Sequence, residues 1–338
     1  MKAFPRPSRF LLPVVLASVM IPAASQGAMV LTSAGTSRGY SLTTFATGFP
    51  TFDFGNSNIL GPIGINFPSS GGVLVGDATG KLRHFALDVD GQTASSAPVG
   101  GNLGNGNAWG IARLGSKNYL AEAGSIVEVS DSGAFVQTIV SGFTNARGVV
   151  VNPANGHLLV SAAGDLTTGT AAIFDVDPTA KTKSTFIGSL TNIDGLSISP
   201  DGQTLYAALE GTTGSIRGFN IPSGAIVFDS GAITAGGVTG GIDGTAVGAG
   251  AFANDIFANL NSGSLVQIDL TTKVQTVIAT GGDRGDFVGV DPSNDTLLIT
   301  QRDAILRLTG PSFSTPEPAS LSLLALSGIP LILRRRRA

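Results

Sequence analysis

Few residues in this chain have the types and spacing needed for covalent chemistry. The 338 residues include two histidines and no cysteine, which excludes thiolate metal sites, disulfides and a cysteine nucleophile. His84 stands in the strand-like run Lys81–Phe85, and His157 follows an Asn155-Gly156 turn. Neither has a metal-ligand partner nearby in sequence, and both read as surface or strand residues. Gly35-Thr36-Ser37-Arg38-Gly39 has the letters of a nucleophile elbow, but the pattern predicts no strand before it and no helix after it, so it reads as a chance match. There is no His-Glu-x-x-His pair. The Gly/Asn-rich stretch Asn102–Asn107 has no lysine at the spacing a phosphate loop requires and reads as a loop. Asp88-Val89-Asp90-Gly91 opens like a calcium loop but lacks the closing glutamate, so it reads as a hairpin turn. No catalytic residue is assigned.

What remains is a set of residues picked out by repetition. Ala108-Trp109-Gly110-Ile111-Ala112, Ala146-Arg147-Gly148-Val149-Val150, Ile193-Asp194-Gly195-Leu196-Ser197, Ile242-Asp243-Gly244-Thr245-Ala246 and Asp286-Phe287-Val288-Gly289-Val290 align, with a weaker copy at Pro62–Asn66. The markers Gly64, Gly110, Gly148, Gly195, Gly244 and Phe287 are spaced by 46, 38, 47, 49 and 43 residues, the span of a four-stranded propeller blade. Apolar, β-branched runs follow each marker, such as Leu158–Ser161, Ile173–Val176 and Ser184–Ile187 in one copy. The last copy ends at Leu308 without a fourth strand, while Ser41–Ala46 stands unpaired near the start. Joining the two closes the ring and removes the exposed edges. The expectation is an all-β, six-bladed β-propeller over residues 40–310, closed by an N-terminal strand; a β-sandwich or β-solenoid is the alternative.

The rhythm of glycine, apolar positions and an x-Pro-x-x-Gly turn resembles the NHL and senescence-marker/gluconolactonase-like propellers. In propellers the position before the marker begins the innermost strand, near the mouth of the central channel. Here it is occupied by Trp109, Arg147, Asp194, Asp243 and Asp286. Three converging acids, Asp194, Asp243 and Asp286, could hold a hard cation such as Ca2+ through oxygen ligands. The resemblance implies a cation in that place, although the Glu and Asn ligands of gluconolactonase-like sites have no match here residue by residue. The other reading of these aspartates is that they cap turns or pair with Arg147.

Composition supports the β reading and excludes some partners. Glycine is abundant at 47 residues, charged residues make up 13%, and mean hydropathy is +0.30. Seven of the 20 bases and one of the 23 acids lie in the chain ends, so the body carries 13 bases against 22 acids. A body this acidic, with no basic patch, is a poor partner for nucleic acid, whose phosphates require lysine and arginine.

The two ends carry addresses. Lys2, Arg6 and Arg9 precede an apolar run from Phe10 to Ile21, and small residues follow to Ala28. This is the layout of a secretory signal peptide over residues 1–28, handled by the Sec translocon and signal peptidase. At the other end, a linker over residues 311–318 contains Pro316-Glu317-Pro318. A 15-residue apolar segment, Ala319–Leu333, and then Arg334, Arg335, Arg336 and Arg337 complete a sorting segment over residues 319–338. As a helix the apolar part covers about 22 Å against a hydrocarbon core of about 30 Å. The arginines should stay on the cytoplasmic side, leaving the body across the inner membrane. Pro-Glu-Pro, a short apolar helix and a terminal arginine cluster resemble the PEP-CTERM sorting signal. That resemblance implies recognition and removal of the tail by an exosortase, in an exopolysaccharide-producing Gram-negative bacterium.

The combined expectation is an exported protein, anchored in the inner membrane as a precursor and then placed on the outer surface or in the extracellular matrix. Its propeller would bind polysaccharide or another surface partner. The alternative is a cation-dependent, lactonase-like hydrolase using the three aspartates.

Overall fold

Six antiparallel sheets succeed one another along the chain, and their innermost strands contact in ring order, the last touching the first. The computed structural model describes residues 28–310 except 56–58, 104–106, 164–169, 212, 239, 249–251 and 295. The expected leader up to residue 27, the linker and the sorting segment lie outside the described residues. The fold is the six-bladed β-propeller expected from the repeat. Among the described residues no helix is long and apolar enough to cross a membrane.

Each repeat copy is one blade. Blade 3 comprises Ala146–Val151, Leu158–Ala162, Ala171–Asp177 and Thr182–Leu190. Blade 4 comprises Ile193–Ile198, Thr204–Leu209, Ser215–Asn220 and Ile226–Asp229. The second strands Val73–Asp77, Leu158–Ala162 and Thr296–Thr300 are buried along their whole length. Both faces of these strands are covered by neighbouring blades, which is why they read as continuous apolar runs rather than alternating ones. The core lies between blades: Leu159 and Ile173 of blade 3 pack with Leu205 and Phe219 of blade 4.

The marker glycines are explained by the approach of one innermost strand to the next. A Cβ on Gly64 would stand 1.9 Å from the carbonyl oxygen of Trp109, and one on Gly110 2.7 Å from that of Arg147. The series continues with Gly148 against Asp194 at 2.7 Å, Gly195 against Asp243 at 2.4 Å and Gly244 against Asp286 at 2.1 Å. Each marker therefore packs on the backbone of the residue that precedes the next marker.

Blade 6 is closed by the N-terminal strand. Ser41–Thr47 pairs antiparallel with Ala304–Thr309, as the unpaired run predicted, and Gln92–Thr93 adds a short parallel strand outside it. Arg307 clamps the joint. Its guanidinium stands 5.1 Å over the Phe45 ring, and it donates to Asp90 Oδ1 at 2.7 Å, to Thr296 Oγ1 at 2.7 Å and to Asp88. Asp88 and Asp90 thus sit in a connection that ties blade 1 to blade 6. Residues just before the expected domain start also belong to the ring: Val30–Leu31 adds a fifth strand to blade 5, followed by a five-residue helix, Ser33–Ser37, capped by Thr32. Contrary to the expectation for Gly35–Gly39, a short strand does precede it, but Ser37 is an exposed residue inside the helix rather than at a strand-to-helix turn, and both histidines bond elsewhere, His84 to the Gly71 carbonyl and His157 to Asp175.

The close approach makes a direct prediction. Gly195→Ala should cost about 3 kcal/mol, because the clashing atom is backbone and cannot swing away. Gly124→Ala, at a position with nothing within 4 Å, should lie within about 0.5 kcal/mol of the parent. Urea unfolding of both variants checks this.

Candidate functional site at the channel mouth

The residues before the markers do converge. Register shifts interrupt the innermost strands between Ala146 and Val149, between Ile193 and Leu196, and between Ile242 and Gly244. Bulges of this kind re-aim a side chain out of the regular alternation. They fall at Arg147, Asp194 and Asp243. The second strand of each blade runs back antiparallel, so its C-terminal end lies beside the start of the first. Glu210 N donates to the Asn192 carbonyl at 2.7 Å in blade 4, and Asn261 N donates to the Gly241 carbonyl at 3.0 Å in blade 5.

The result is a buried polar cluster built on two guanidiniums. Arg147 Nη1 donates to Asp194 Oδ2 at 2.5 Å and to Glu210 Oε2 at 3.0 Å. Arg284 Nη2 donates to Asp243 Oδ2 at 2.6 Å and stands 3.7 Å from Asp286 Oδ1, too far for a hydrogen bond. Asn192 Nδ2 donates to Glu210 at 2.6 Å, and Asn261 Nδ2 to Asp243 at 3.2 Å. In the amide orientation that satisfies it, Asn145 Oδ1 accepts from Arg147 Nη2 and Nε at 3.2 and 3.3 Å.

Four carboxylates face two guanidiniums, and the imbalance appears in their protonation. Burial pushes Asp194 up to about 7, against the pull of Arg147. Burial and the neighbouring Asp194 and Asp286 carboxylates push Asp243 well above the ordinary range. Burial raises Asp286 as well, opposed by Arg284. Glu210 is held below the ordinary range: burial works against this but is outweighed by Arg147 and by hydrogen bonding with Asp243.

Several buried atoms of the cluster have no hydrogen-bond partner among the described residues: Asp194 Oδ1, Asp286 Oδ1, Asn192 Oδ1, Asn261 Oδ1 and Trp109 Nε1. Two of the five are amide oxygens, which only accept, and two are carboxyl oxygens. Trp109 forms the wall beside them. Arg147 lies 5.6 Å from the centre of its ring, and Phe54 stacks on it at 6.3 Å with a tilt of 34°. Phe52 meets Phe54 edge-on at 4.9 Å. Phe52 and Phe54 are 50% and 39% exposed, so an aromatic surface continues from the buried indole into solvent. On the other side, Glu210 lines a cleft of about 380 Å³ with Thr191, Ser215 and Arg217 of blade 4.

The cluster fits a hard cation by donor type. One carboxylate oxygen from each of Asp194, Glu210 and Asp243 lies within 4.8 Å of the others, compatible with Ca–O distances of about 2.3–2.6 Å. The guanidiniums compete for the same oxygens. Of the three aspartates singled out in the sequence, Asp194 and Asp243 join this trio, and Asp286 stands next to it beside Arg284.

No protein-family model and no curated protein matches the chain by sequence. Solved structures match it throughout the propeller. A luciferin-regenerating enzyme superposes with a TM-score of 0.64 at 12% identity, covering 82% of this chain and 100% of its own. A gluconolactonase from Xanthomonas campestris gives 0.62 at 15% identity, with 84% and 95% covered. A calcium-binding regucalcin from Agrobacterium tumefaciens gives 0.58 at 17% identity, with 82% and 98% covered. Likeness at this identity establishes the fold and leaves the chemistry to the residues of this chain.

Sequence reasoning did not find Glu210, Arg284, Asn192 or Asn261. Glu210 and Asn261 each follow the second strand of a blade directly, so counting from the marker into the antiparallel partner would have reached them. Arg284 sits two residues before Asp286, at the place Asn192 holds before Asp194.

The raised Asp194 carboxyl fixes a pH dependence. A folded value near 7 against 3.8 unfolded means that the native state binds more protons across that window. Stability is therefore fully present below about pH 4 and is lost as pH rises through 7, with a slope of at most about 1.4 kcal/mol per pH unit for one carboxyl. Urea unfolding between pH 5 and pH 8 should show this decline, and Asp194→Asn should make it shallower, Asp243 and Asp286 keeping their share, while Arg147 keeps Glu210 as partner.

Proposed function

We propose that this protein is an exported cell-envelope protein, delivered by its N-terminal leader and processed by an exosortase at Pro316-Glu317-Pro318, whose propeller binds polysaccharide at the channel mouth. The terminal segments support export and sorting: a basic, apolar and small-residue leader at one end, and the Pro-Glu-Pro, apolar and arginine order at the other. The observation that carries the binding reading is the juxtaposition of an exposed aromatic surface, Phe52-Phe54, which runs into the buried Trp109, with a polar cluster that has unused hydrogen-bonding atoms. Binding sites combine apolar and aromatic walls with a few convergent polar groups in this way.

A second reading is favoured by the Asp194–Glu210–Asp243 trio and by the printed names of the neighbours, a gluconolactonase and a calcium-binding regucalcin. In that reading a divalent cation held by the three carboxylates would polarise a lactone carbonyl. Arg147 and Arg284 would keep the carboxylates oriented, and Trp109 would wall off water from one side of the bound ring.

Two measurements separate the readings. Metal analysis of the mature protein, with lactone hydrolysis scored against Asp243→Ala, should show neither bound metal nor turnover if the protein is a binder. Stoichiometric metal with turnover abolished in the variant would replace the first reading by the second. Mass spectrometry of the protein from its host should find the leader gone and the tail removed near Pro316. An intact chain in the cytosol would overturn the export reading.

A further inference from the structure

We infer that the channel mouth selects uncharged pyranose chains and rejects polyanionic ones, with one sugar ring stacked on Phe54 and directed into the cluster by the indole N–H of Trp109. The inference rests on the reading that this site binds polysaccharide, and it names the class.

Three observations carry it. The first is shape. Phe54 lies against the buried Trp109 ring, tilted from it by 34°, and is itself 39% exposed, so it offers an apolar ring face to the axial C–H face of a pyranose. Phe52 stands edge-on beside Phe54 and extends the surface toward solvent. Exposed aromatics brought together this way are unusual unless something covers them.

The second is the hydrogen-bond inventory. Trp109 is 7% exposed, and its Nε1–H, a donor with no acceptor among the described residues, calls for an oxygen. Two further unused atoms of the cluster, Asn192 Oδ1 and Asn261 Oδ1, are amide oxygens and only accept. They require O–H or N–H donors. A sugar hydroxyl is both donor and acceptor and satisfies the two demands at once. A uronate carboxylate is acceptor only. It could take the indole N–H but would leave the buried acceptors unpaired.

The third is charge. Asp194, Glu210, Asp243 and Asp286 outnumber Arg147 and Arg284, and each arginine is already engaged by a carboxylate. Neither guanidinium of the cluster is left over for an anionic sugar, and the field of an acidic body adds repulsion along the approach.

The test uses the full mature chain and isothermal titration with three probes: a neutral gluco-oligosaccharide, an oligogalacturonate of equal length, and CaCl2 alone. The neutral oligosaccharide should bind, with Phe54→Ala weakening it about tenfold and Trp109→Phe, which keeps a ring but removes the N–H, about fivefold. The oligogalacturonate should bind at least tenfold more weakly than the neutral chain. Equal or tighter oligogalacturonate binding would overturn the inference while leaving the polysaccharide reading intact. Binding of neither sugar, with or without CaCl2, would remove the polysaccharide reading itself. Neutral binding unaffected by Phe54→Ala would overturn the stacking geometry, and circular dichroism of both variants shows whether they remain folded.

Discussion

The contact on which this molecule depends is between a hydrogen atom and a carbonyl. At five of six positions around the channel, a glycine lets the innermost strand of one blade lie against the backbone of the next, at distances no side chain tolerates. The carbonyl it meets belongs each time to the residue that opens the next blade: Trp109, Arg147, Asp194, Asp243 and Asp286. One steric requirement therefore does two things. It fixes the radius of the ring, and it pins the backbone of the residues whose side chains form the polar cluster. Ser161 reinforces one such joint, accepting from Gly148 N at 2.7 Å and donating to the Asp194 carbonyl at 2.5 Å. A site built on these positions is rigid, because each of its members is held by a neighbouring blade as well as its own.

The cluster itself does not serve stability well. Moving charges out of water is costly, and a buried ion pair seldom returns more than an apolar plug of the same volume. Here the pairing is also incomplete, with four carboxylates on two guanidiniums and buried acceptors without donors. The arginine clamp at the closing blade behaves differently. Arg307 binds Asp88 and Asp90, and Asp88 in turn accepts from Ser293 Oγ at 2.9 Å. That network ties a surface connection to the closing blade and has no unpartnered buried atom among the described residues. The contrast separates a structural clamp from a binding site within one chain: the first is saturated, the second leaves atoms for something else.

The fold was legible because its cause is periodic. A glycine every forty-odd residues, followed by apolar runs and an Asn/Asp-Gly turn, is the direct imprint of the close approach, and the unpaired run Ser41–Ala46 pointed to ring closure. The site was legible only where it shares that period. Asp194, Asp243 and Asp286 sit on the marker, so they surfaced with it. Glu210 and Asn261 sit on the returning strand, and their distance from the marker varies with hairpin length, so no fixed spacing announces them. Phe52 and Phe54 lie in an insertion before blade 1 that no other blade repeats. Their meeting with Trp109 arises only when blade 2 packs on blade 1. The small strand Val30–Leu31 escaped for a different reason. Two residues are too few to show alternation, and their β character comes from an edge supplied by Gln275–Thr280.

Closure also orders the assembly of the site. Within each blade the strands are sequence neighbours, and their pairing needs only short loops. The joint between Ser41–Thr47 and Ala304–Thr309 spans more than 250 residues, so it carries a loop-closure cost that the local hairpins do not. Blades 2 to 5 can therefore form their markers and the Arg147–Asp194 pair before the ring shuts. Blades 1 and 6 cannot be fixed relative to each other until the N-terminal strand has found its partner. Arg284 and Asp286 lead into blade 6, while Phe54 leads into blade 1, so the two halves of the binding surface come into register only with the last pairing. The Arg307 clamp, by holding that joint, holds the placing of these two halves as well.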